Sequence, residues 1–67
     1  MRFDDSRFRF SHGKAPRGRG FWIFENEARE VVFEHNGFFS EAKDEARRFA
    51  AKQQAAGRPV GKMFVSP

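Results

Sequence analysis

Aromatic and cationic residues alternate near the start of the chain, with Arg7 and Arg9 interleaved with Phe8 and Phe10. A period of two is the mark of a half-buried strand and predicts a first strand over about residues 6 to 11, with one aromatic and one guanidinium face. Phe3 continues the pattern beyond Asp4-Asp5-Ser6. Residues 12 to 20 place Gly13, Pro16, Gly18 and Gly20 among Lys14, Arg17 and Arg19, which reads as a long, flexible loop. Phe21-Trp22-Ile23-Phe24, the most hydrophobic stretch, opens a second strand over 21 to 25. Asn26 to Ala28 form a turn, and the Val- and Phe-rich segment Arg29 to Glu34 is the third strand.

Asn36-Gly37 is a turn signal because both residues tolerate positive φ, and Ser40 then caps a helix over about 41 to 56. Glu41, Asp44 and Glu45 fall early in that helix, and Arg47, Arg48 and Lys52 fall late, the order the helix dipole favours. Gly57 suits the C′ position and Pro59 blocks continuation. The apolar stripe is Ala42, Ala46, Phe49, Ala50 and Gln53, so small residues allow close approach to a sheet and Phe49 is the large anchor. Lys62 to Val65 make a short last strand that runs parallel to the first and third strands and, by a right-handed crossover, lies beside the first. The fold class is α+β: a small antiparallel meander of three strands, one helix packed on one sheet face, and a short fourth strand.

Sixty-seven residues form a single domain, small enough that the core must come from rings: there are 10 Phe and one Trp and no cysteine. The missing thiols remove disulfides and thiolate metal sites and fit a reducing compartment. The N-terminal MRFDDSRFRF has no apolar run, so it reads as neither signal peptide nor membrane span, and a cytoplasmic location is expected.

The net charge of +4 is partitioned. Residues 1 to 20 carry six Lys or Arg against two acids, residues 21 to 46 carry two against seven, and residues 47 to 67 carry five with no acid. Such a layout makes a dipolar surface whose basic pole attracts polyanions; the alternative is ordinary solubilising charge.

One helix covers one face of a four-stranded sheet, so side-chain parity assigns the other. With Phe8, Phe10, Trp22, Phe24, Val31, Phe33, Met63 and Val65 toward the helix, the open face holds Arg7, Arg9, Phe21, Ile23, Val32, Glu34, Lys62 and Phe64. Rings among cations suit single-stranded nucleic acid, with bases stacking on Phe21 and Phe64 and phosphates held by Arg7, Arg9 and Lys62. The plan resembles that of RNA-recognition sheets, although the RNP1 consensus is missing and the element order differs. The same rings could instead bury against another copy or another protein, or be covered by the loop and termini.

Lys14, Arg17 and Arg19 sit among glycines that let backbone N–H groups approach an anion, a pattern that favours phosphate. No Gly-Lys-Ser/Thr follows, so this is not a P-loop. Arg17-Gly18-Arg19-Gly20, preceded by Pro16, resembles the Arg-Gly-Arg-Pro core of AT-hook minor-groove binders, with Gly20 in place of the proline. The alternative is a soluble hairpin loop.

His12 and His35 lack metal-ligand companions, the serines lack a nucleophile context, and Glu25, Glu27, Glu30 and Glu34 read as a solvated hairpin. No enzyme and no cofactor are expected. A strand, GRGFWIF, a hairpin, a Ser-Glu-Ala-Lys helix and a final FVSP together are similar to small accessory proteins of phages and plasmids. That resemblance implies a further class, inhibitors of host machinery. The expected function is non-enzymatic binding of DNA or RNA through Arg7, Arg9, Lys14, Arg17, Arg19, Phe21, Lys62 and Phe64. The alternative is a protein-interaction module or phage-type inhibitor, including a homodimer, using the same face.

Overall fold

The computed structural model describes residues 2–67. Its elements in chain order are β1 (Phe3–Asp4), α1 (Ser6–His12), β2 (Arg19–Glu25), β3 (Val31–Phe38), α2 (Phe39–Ala55) and β4 (Met63–Val65). The sheet runs β1-β4-β2-β3. β4 is parallel to β1 and antiparallel to β2, and β2 is antiparallel to β3. The α+β class matches expectation, whereas a three-stranded meander does not form, and β4 pairs with Phe3–Asp4 and not with the expected first strand over 6 to 11, which is helical.

The first departure is α1, a helix where alternation predicts a strand. Residues two apart on a helix point about 200° apart, so alternating Phe and Arg also suits a helix with one ring in and one out. Phe8 packs against the core while Phe10 is 93% exposed. Local bonds favour the helix: Asp4 Oδ1 accepts the Ser6 N–H at 2.8 Å, and Arg9 Nε meets Asp5 Oδ2 at 3.0 Å one turn on. Phe8 also stacks on His12 at 4.1 Å, and Gly13 in the left-handed region ends the helix with its N–H on the Arg9 carbonyl.

The second departure is at Asn36-Gly37, which continue β3 instead of turning. β2 accordingly extends back to Arg19, pairing Arg19 with Phe38 and Gly20 with Gly37. Glycine suits position 37 because its φ is 151°, which strains any side chain, and a Cβ there would also press on the ends of two side chains, His35 Nε2 at 3.0 Å and Glu41 Oε1 at 3.1 Å. The Trp22 indole N–H donates to the Gly37 carbonyl at 3.0 Å in the same place. The hairpin turn lies at Asn26 to Glu30, so Arg29, expected in the third strand, belongs to the turn.

Helix α2 starts two residues before the expected position. Phe38, not Ser40, is the N-cap residue; Glu41 Oε1 accepts the Phe38 N–H at 3.0 Å, and the Gly18 carbonyl accepts the Phe39 N–H at 2.8 Å. At the other end Gly57 has φ 78°, its N–H reaches the Gln54 carbonyl at 3.0 Å, and the Arg58 N–H reaches the Gln53 carbonyl at 2.8 Å. This is a Schellman cap with Gly57 at C′, as its position predicts.

Ala42, Ala46 and Ala50 bury against Trp22, Phe24, Met63 and Val65, with Phe3, Phe8, Val32, Phe33, Phe39, Phe49 and Val60 around them. Phe24, Met63 and Val65 are fully buried, each worth roughly 1.5–3 kcal/mol against exposure. Phe49 lies at the rim, with its ring 5.3 Å from Phe33. No helix among the described residues is long and apolar enough to cross a membrane.

Candidate nucleic-acid interface

The face of the sheet away from α2 follows from the register. Phe24 and Trp22 point into the core, so Arg19, Phe21, Ile23 and Glu25 point away, and their partners Phe38, Asn36, Glu34 and Val31 share that face. Phe64, opposite Glu25, and Asp4, opposite Phe64, complete it. Phe21, Ile23, Glu34 and Phe64 therefore lie where parity puts them. Val32 instead packs against the core, because the register shifts between Phe24 and Glu25 and reverses the alternation in β3.

Arg7 and Arg9 are not strand residues of this face, since α1 replaces the predicted strand. Arg7 nevertheless reaches it: its guanidinium carbon lies 3.9 Å from the Phe64 ring centroid, and Nη1 lies 3.4 Å from Glu25 Oε1. Lys62 Nζ lies 5.3 Å from the centroid of the same Phe64 ring and 3.2 Å from Asp4 Oδ2. Arg7 and Lys62 thus both lie within cation–π range of the Phe64 ring. Arg9 pairs with Asp5.

Asp4 holds this corner together. Its Oδ1 accepts the Ser6 hydroxyl at 2.5 Å and the Ser6 N–H, and together with Lys62 these bonds hold its carboxyl down at about 2.

The opposite end of the face differs. Lys14, Arg17 and Arg19 are exposed, and none of the three makes an ion pair among the described residues. Arg19 sits 5.0 Å above the Phe38 ring. Phe21 is 60% and Phe38 46% exposed, so two rings lie with Arg19 where the loop enters β2, and Lys14 and Arg17 belong to that loop. The loop itself is fastened, with Pro16 buried and Gly18 bonded to the start of α2.

Phe38 is the residue that sequence reading misses. Once β3 runs unbroken past Asn36-Gly37, the parity of Glu34 puts Phe38 on the open face four residues later, so the signal was present but hidden by the turn motif. The chain matches no family model, no curated protein and no solved structure.

Proposed function

We propose that this is a non-enzymatic nucleic-acid-binding protein that holds a single strand at the loop end of its open sheet face. The observation that carries the reading is Arg19, without an ion pair among the described residues, set above the exposed Phe38 ring and two residues along β2 from the exposed Phe21, at the end of the loop that carries Lys14 and Arg17. Guanidinium and ammonium groups without internal partners are free to exchange counterions for phosphates, while each exposed ring offers a base about 1–3 kcal/mol of stacking. Arg7, Arg9 and Lys62 contribute less, because Glu25, Asp5 and Asp4 already neutralise them.

Titration of fluorescently labelled single- and double-stranded oligonucleotides at several salt concentrations tests this. Changing Arg17 and Arg19 to Ala should flatten the salt dependence by about 1.4 on a single strand and about 1.8 on duplex, from roughly 0.7 and 0.9 per phosphate contact. An unchanged slope, or no binding at low salt, ends the proposal.

A second reading rests on Glu34, which shares the face with Ile23 and makes no ion pair among the described residues, so that one face carries an acid as well as Arg19. Two copies, or a protein partner such as host machinery, would then meet the same face by charge and apolar contact. Binding of that kind hardly weakens between 50 and 200 mM salt, whereas polyanion binding falls steeply, on the order of 10³-fold for six contacts.

A further inference from the structure

The two edges of the sheet are built differently. One is β1, only two residues long, and the other is β3, eight residues long, with no proline and no lysine. Unpaired N–H and C=O groups on an edge template another strand, and natural sheets blunt them with short strands, lysine or proline. β1 is blunted by its length. β3 carries only a register shift at its first residues and one carboxylate, Glu34.

The free groups of this edge follow from the ladder. Antiparallel partners alternate between pairs that exchange both backbone bonds and pairs that exchange none. Ser66 donates its N–H to the Ile23 carbonyl at 2.8 Å, so Ile23 faces β4, and Trp22 and Phe24 face β3. Their partners His35 and Phe33 turn both backbone groups toward β2. The N–H and C=O of Glu34 and Asn36 therefore point outward, and both residues are exposed. The Phe38 N–H points the same way and is taken by Glu41 Oε1 at 3.0 Å. No other hydrogen bond among the described residues takes the outward groups of Glu34 and Asn36.

We propose that β3 pairs antiparallel with β3 of a second copy about a two-fold axis at His35, joining the two sheets into one. A two-fold perpendicular to the sheet keeps each face on its own side, so only residues of equal parity stand opposite each other. With His35 on the axis, Glu34 stands opposite Asn36 of the second copy and Asn36 opposite its Glu34. Each pair exchanges both N–H···O bonds, which satisfies every outward group of the two residues. The neighbouring registers fail. Centring on Glu34 sets its carboxylate against itself, and centring on Asn36 sets Glu34 opposite Phe38, whose N–H is already taken. Side chains favour the same register. The Glu34 carboxylate accepts from the Asn36 amide, and Phe33 stands opposite Gly37, where no side chain obstructs its ring. Both open faces then look the same way, yet the pairing does not depend on what they bind.

A contact this short makes a weak dimer, so the test is sedimentation and amide hydrogen exchange of the whole chain from micromolar to millimolar concentration. A dimer should form across that range. The Glu34 and Asn36 amides should gain protection with concentration, whereas those of Phe33, His35 and Gly37, which face β2, should be protected throughout. Asn36→Asp should weaken the dimer about tenfold or more by setting like charges opposite each other at both pairs, and Asn36→Lys should hold or tighten it. Position 36 is exposed, so thermal midpoints at micromolar concentration should stay close to the parent's in both variants. Asp and Lys variants that dimerise alike, or a dimer without protection at Glu34 and Asn36, overturn the edge pairing. A chain that is monomeric at millimolar concentration overturns it too, and leaves the edge to a strand of another protein.

Discussion

The guanidinium of Arg7 lies 3.9 Å from the centre of the Phe64 ring and also reaches the Glu25 carboxylate at 3.4 Å, joining α1 to β4 and β2 across the open face. Both ends of the ion pair are largely shielded, with side-chain exposures of 20% and 17%. Replacing Arg7 with Ala should cost about 1–3 kcal/mol, from the cation–π contact, the pair and the covered ring. In a thermal melt that is a drop of roughly 4–8 °C per kcal/mol. A midpoint equal to that of the parent would mean the contact contributes nothing.

Any side chain at position 37 should be strained by the φ of 151° there. Gly37→Ala puts a methyl against His35 and Glu41 and disturbs the carbonyl that accepts the Trp22 indole N–H. We expect a loss of about 1–3 kcal/mol. Trp22, the only tryptophan and 7% exposed, reports it directly through a red-shifted emission as the variant unfolds at lower denaturant.

The ranking of core rings is testable because sequence and structure disagree on it. The helix stripe makes Phe49 the anchor, with a loss of about 3–5 kcal/mol on truncation to Ala. In the structure Phe24 is fully buried and its ring neighbours Phe3, Phe33 and Phe39, whereas Phe49 is half-buried. Phe24→Ala should therefore cost the larger amount, enough to unfold a domain whose whole stability is about 3–10 kcal/mol. Phe49→Ala should leave a folded protein with a lowered midpoint. Urea melts giving the opposite order would displace the core from β2.

Asp4 sets an acid limit. Its carboxyl is held at about 2, below the usual 3.8, first by the Ser6 hydroxyl, then by the Ser6 N–H and by Lys62. A depressed carboxyl stabilises the fold fully above its unfolded value, and the contribution fades as pH falls from about 4 through about 2. Ser6→Ala should raise the Asp4 midpoint toward the ordinary value in a carboxyl NMR titration. Asp4→Asn should remove the corresponding part of the pH dependence of stability in that window. Added salt shrinks the Lys62 share, since the pair lies at the surface.

Much of the fold is legible along the chain. Local chemistry marks both ends of the hairpin strand core, the alanine stripe of α2, the Gly57 cap and the parity of Met63, Phe64 and Val65, because each depends on neighbours within a turn or a strand. Two segments are not legible for the same reason in opposite directions. Arg7 to Phe10 satisfies the periods of strand and helix alike, and the choice falls to Asp4, Asp5 and Gly13 at its ends. Asn36-Gly37 carries a turn signal, but the glycine serves a φ of 151° within β3 beside His35 and Glu41. The candidate site inherits both ambiguities: Phe38 is missed, and Arg7 reaches the open face from a helix and not from a strand.

What the sequence by itself determines is an aromatic core, a basic glycine loop leading into a hydrophobic strand, and a helix whose small residues must lie on a sheet. Periodicity and capping are local and survive without tertiary contacts. Only the tertiary structure decides which rings and cations remain available. Arg7 travels through space to Phe64 and Glu25, Lys62 to Asp4, and Arg19 stays beside Phe38 and Phe21 with no acid to neutralise it, because ion pairing and ring contact depend on distances that sequence spacing does not encode.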